Sequence, residues 1–142
     1  MRLGVLLSTA LVVLACDPGY SRRLAIVSTP GVPSLSSALD AFEAHALPES
    51  LFRVSPPQYL ADEFYRENYE VVRWYDRDPN PTARRGSFDF LAVILNRESG
   101  EAAIAVGGFG LIREPPNIAA ARDAIVRELC SRNFIVEGGC PE

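Results

Sequence analysis

Apolar and polar positions along the chain change period several times, and each change marks an element. Residues 3–15 are apolar or small without one charge. Residues 24–28 are again apolar and predict a short first strand, closed by the turn chemistry of Thr29-Pro30-Gly31. In residues 34–47, Leu35, Ala38, Leu39, Phe42 and Ala46 recur at helical spacing. Ser34 is placed to cap that helix and Pro48 to stop it. A short strand is expected at 51–55, and a short helix at 59–68 carrying Leu60, Phe64 and Tyr65.

Residues 69–77 alternate and are rich in β-branched and aromatic side chains. Strict alternation puts Val72 and Trp74 on one side and Val71, Arg73 and Tyr75 on the other. Residues 88–95 and 102–108 flank the polar stretch 96–101 and read as a hairpin. Both of its strands are apolar on both faces, as central strands covered on both sides are. Residues 117–132 form a second long helix, with Ile118, Ala121, Ile125, Val126 and Leu129 as its stripe and Asn117 as its cap. A last short strand is expected at 134–136. The fold class that follows is α+β: a small antiparallel sheet of about three to five strands with two main helices packed on one face.

The first 16 residues carry a more specific signal. Arg2 precedes the apolar run and Asp17-Pro18 closes it. A run of that length suits a secretory segment of about 7–15 residues and is shorter than the roughly 20 that span a bilayer. Val13-Leu14-Ala15-Cys16 resembles the lipobox of bacterial lipoproteins, with an aliphatic residue three places before the cysteine and a small one just before it. The resemblance implies that residues 1–15 are a removed signal peptide and that Cys16 carries the lipid. The resemblance ends there; the polar residues that follow, to Arg23, make 16–23 a short tether and leave 24–142 as a single folded domain. Two or three acyl chains, at about 0.8 kcal/mol per buried methylene, hold a protein durably where one chain does not. Asp17 resembles the inner-membrane retention signal of enteric bacteria, a rule that varies between lineages.

Composition narrows the partners. The chain has 142 residues, a net charge of −4 and a pI near 5.1, which argues against nucleic acid. All 14 basic residues are Arg. With Cys16 as the anchor, Cys130 and Cys140 remain as an even pair, and an exported compartment favours their disulfide.

The candidates for chemistry are weak. Asp76, Asp78 and Asn80 resemble the start of a calcium loop, but Pro81 and Ser87 stand where its glycine and glutamate belong. A solvated loop is expected there, with Asp76→Asn and Asp78→Asn together changing stability by about ±0.5 kcal/mol or less. Arg84-Arg85-Gly86 suits an anion or, more simply, a solvated loop. Gly107, Gly108 and Gly110 suggest a bend after a strand. His45 reads as a surface residue at a helix end, and Asp62, Glu63, Glu67 and Glu70 as a solvated acidic face. No catalytic set, metal or cofactor is expected. The function expected is that of an envelope lipoprotein, anchored in a membrane and facing the periplasm or cell exterior, whose domain binds a protein partner or supports an assembly. The alternatives are an inhibitor or immunity-type protein of an envelope hydrolase and an enzyme with an unfamiliar carboxylate site.

Overall fold

A computed structural model describes residues 19–28, 32–81, 89–109 and 114–141. In chain order the elements are β1 (Gly19–Ser28), α1 (Val32–His45), β2 (Phe52–Arg53), α2 (Gln58–Arg66), β3 (Tyr69–Asp76), β4 (Asp89–Asn96), β5 (Ala102–Phe109), α3 (Pro116–Ser131) and β6 (Ile135–Val136). The strands form one antiparallel sheet in the order β2-β3-β4-β5-β1-β6. Four strands are long, and a two-residue strand lies at each edge.

Period-two alternation in β4 and β5 builds two cores at once. Leu91, Val93, Ala102, Ile104 and Val106 join the cluster under α1 and α3. Leu35, Leu39 and Phe42 of α1 and Ile118, Ile125 and Leu129 of α3 complete it, each no more than 1% exposed. The two main helices thus share one face, as the pattern predicts. Phe90, Ala92, Ile94, Ala103 and Ala105 point the other way, into a second cluster with Leu60 and Phe64 of α2. Phe64 meets Trp74 and Phe90 edge-on, and Trp74 stacks on Phe90 at 4.3 Å. Such aromatic pairs contribute about 0.5–1.5 kcal/mol each beyond their burial.

Several boundaries differ from expectation. β1 begins at Gly19, not at residue 24, and pairs with β5 from Gly19↔Phe109 to Ile26↔Ala102. Most of the stretch expected as a tether is therefore strand. α1 begins at Val32, so Ser34 lies inside the helix. Gly107 and Gly108 lie within β5, opposite Phe90 and Asp89, with no bend there. Asn117 follows the N-cap Pro115 by two residues, and its side chain donates to Ser50 Oγ at 3.0 Å.

Cys130, at the end of α3, forms a disulfide with Cys140, with Cα atoms 6.0 Å apart. The tail reaches it through Gly138 and Gly139, both at positive φ (85° and 80°), where a Cβ would be strained. No helix among the described residues is long and apolar enough to cross a membrane.

Candidate functional site

The register of β3 against β4 shifts between Val71 and Arg73. The extra residue puts Val72 and Arg73 on the same face, so the alternation read from the sequence fails at this point. Val72 packs toward the α1–α3 cluster with Tyr75, while Val71 joins Trp74 on the α2 face. The shift also aims Arg73 at α1. Its Nη1 donates to Glu43 Oε1 at 2.7 Å and its Nη2 to Asp40 Oδ1 at 2.9 Å. Tyr75 Oη donates to the same Glu43 oxygen at 2.8 Å, and Arg53 Nη1 to Glu43 Oε2 at 3.0 Å. Burial first, then the bond to Glu43 and its charge, raise the Tyr75 pKa far above its ordinary value. Glu43 thereby ties α1 to β2 and β3.

β2 covers little of the outer edge of β3. It pairs only at Phe52↔Asp76 and Arg53↔Tyr75, with one further bond from Val54 N to Trp74 O at 3.1 Å. Pro56 and Pro57 follow, and proline has no N–H with which to continue a ladder. Among the described residues, no strand pairs with the outer edge of β3 from Tyr69 to Arg73. A shallow groove of about 570 Å³ runs there, with Val54, Ser55 and Pro56 on one wall and Val71, Val72 and Trp74 on the other. A bulge and prolines are devices that keep an edge from indiscriminate pairing. Where an extended peptide does add to a sheet edge, its backbone bonds give affinity and pockets for its side chains give specificity.

At the end of β3 the sequence expectation is overturned. Asp76 is not in a solvated loop: it is 1% exposed, the last residue of the strand. It shares the face of Trp74, two residues earlier, whose Nε1 donates to Asp76 Oδ2 at 3.0 Å. Asp78 N donates to Asp76 Oδ1 at 2.9 Å, and Asn80 N to Asp78 Oδ1 at 3.0 Å. Oδ1 of Asp76 thus holds the chain as it leaves the sheet, while Oδ2 holds the indole of Trp74 within the strand. Burial, the largest influence, raises the Asp76 pKa, and the charges of Asp78 and Asp89 add to it against the two donors. Asp89 is 4% exposed and accepts from Arg77 Nη1 at 2.9 Å. Tyr59 of α2 lies beside this group: burial, then the Asp76 and Glu63 charges, raise its pKa.

The remaining candidates do not converge. His45 is exposed in the last turn of α1. Asp62, Glu63, Glu67 and Glu70 are all exposed, and Asp62 accepts from Gln58 at 2.8 Å. No group of three His, Cys, Asp or Glu suited to a metal occurs among the described residues. Cys16, Arg84-Arg85-Gly86 and Gly110 lie outside the described residues. The Glu43 hub and the burial of Asp76 and Asp89 escaped sequence reasoning. The two-residue spacing of Trp74 and Asp76 was a usable signal for the latter. No family model, curated protein or solved structure matches the chain.

Proposed function

We propose that the chain is an envelope lipoprotein, held to a membrane through Cys16, whose domain binds an extended segment of a protein partner along the open edge of β3. The tether is supported by Val13-Leu14-Ala15-Cys16 at the end of an uncharged apolar run. An exported, oxidising compartment also suits the Cys130–Cys140 disulfide. The binding role is carried by one observation: among the described residues no strand lies along the outer edge of β3 at Val71–Arg73, where a groove separates it from Val54–Pro56.

The test is photo-crosslinking in the envelope. A photoreactive residue replacing Ser55, in the groove wall, is expected to give a discrete protein adduct. The same residue replacing Glu98, exposed in the β4–β5 turn, is expected to give none. Equal adducts from both positions, or none from Ser55, contradict the proposed surface.

A further inference from the structure

Only Asp17 and Pro18 separate Cys16 from Gly19, the first residue of β1. Three Cα–Cα steps of 3.8 Å reach at most about 11 Å. β1 is no loose leader from there on, because its residues pair with β5 without interruption from Gly19 to Ile26. A lipid on Cys16 is therefore fastened almost directly to one corner of a six-stranded sheet.

The register identifies what else lies at that end. Gly19 is opposite Phe109, Gly108 opposite Asp89, Phe90 opposite Asp76, and Asp76 opposite Phe52. The row crosses the sheet from the anchored corner to β2. At its far corner stand two exposed aromatic side chains, Phe52 (39% exposed) and Tyr59 (57%), the latter beside Asp76. Tyrosine in particular, with an apolar body and a polar tip, suits the boundary between lipid and water. An exposed tyrosine, Tyr65 (59%), stands at the opposite end too, with Arg97 of the β4–β5 turn over its ring, so it is the short link from Cys16 to Gly19 that sets the two ends apart. The opposite end carries Asn68 and the turn between Asn96 and Gly100, which the eight residues of β4 hold about 25 Å away.

We infer that the end of the sheet bearing Gly19, Asp89, Asp76 and Phe52 faces the bilayer, with the β4–β5 turn pointing away from it. This rests on the proposed lipid tether. The strands then stand upright on the membrane, and a segment added to β3 runs along the membrane normal.

The test uses the full lipidated protein in phosphatidylcholine vesicles containing a headgroup-quencher lipid. A fluorophore is placed on Asn80→Cys, in the loop after β3, or on Ser99→Cys, in the β4–β5 turn. Quenching several-fold stronger at position 80 than at 99 is expected. A flexible Gly/Ser linker of about 20 residues inserted between Pro18 and Gly19 should bring the two signals together while the protein still floats with the vesicles. Acylated, floating protein with equal quenching at both positions, or with the order reversed, overturns the orientation alone. A difference that survives the linker also overturns it, because the short link then does not set it. Unacylated protein that fails to float overturns the tether and this inference with it.

Discussion

Asp76 holds its carboxyl inside the protein through donors supplied by its own strand and the loop after it. Truncation to Asp76→Ala leaves Trp74 Nε1 and Asp78 N without their acceptor. The expected cost is about 1–3 kcal/mol in urea unfolding, well above the change expected at an exposed site. The pH dependence has a definite sign. The folded-state pKa lies above the ordinary value of 3.8, so between the two values the folded chain binds more protons than the unfolded one. Stability from this group is therefore highest below the ordinary value and falls as pH rises through the folded value. Asp76→Asn is expected to flatten that fall, which urea midpoints measured from about pH 4 to about pH 7 will show. An unchanged slope contradicts the assignment. Arg73 supplies a second case. Its two terminal nitrogens reach different carboxylates, a fork that lysine does not have. Arg73→Lys is expected to cost about 1–2 kcal/mol despite keeping the charge.

At the scale of elements, α1 is fastened to the sheet by packing and by Glu43. Glu43→Ala takes from Arg73 one of its two carboxylates and leaves the buried Tyr75 hydroxyl without its acceptor, and about 2–3 kcal/mol of destabilisation is expected. A double-mutant cycle with Tyr75→Phe should show coupling; additive losses would contradict a shared hub. The hairpin was legible because two apolar runs flank a polar stretch, and the two long helices because their apolar residues repeat at one period throughout. Trp74 and Tyr75 were separated correctly for the same reason. Val71 and Val72 were both misplaced because a bulge changes phase without leaving a mark in composition. The true length of β1 was hidden because Gly19, Ser21, Arg22 and Arg23 read as polar tether, while their place is set by pairing with β5. The open edge of β3 was illegible too, since it depends on where β2 stops pairing. The Cys130–Cys140 link, by contrast, followed from counting. Replacing both cysteines by serine is expected to cost about 2.5–3 kcal/mol for a loop of separation 10, read as a lowered urea midpoint.

For the whole molecule, the sheet is the organising body. It carries helices on both faces, an edge along β3 that β2 alone pairs with among the described residues, and a first strand that begins three residues after Cys16. Under the proposed lipid on Cys16, a domain joined to a membrane this closely would have little freedom to search, and a partner would have to come to it near the bilayer surface. That picture depends above all on the chemistry of one residue. Mass spectrometry of the full chain purified from its own cells tests it most directly. The account predicts a mature chain that starts at Cys16, lacks residues 1–15 and carries added acyl mass on that cysteine. A mature terminus elsewhere, with Cys16 recovered as a free thiol, would contradict it.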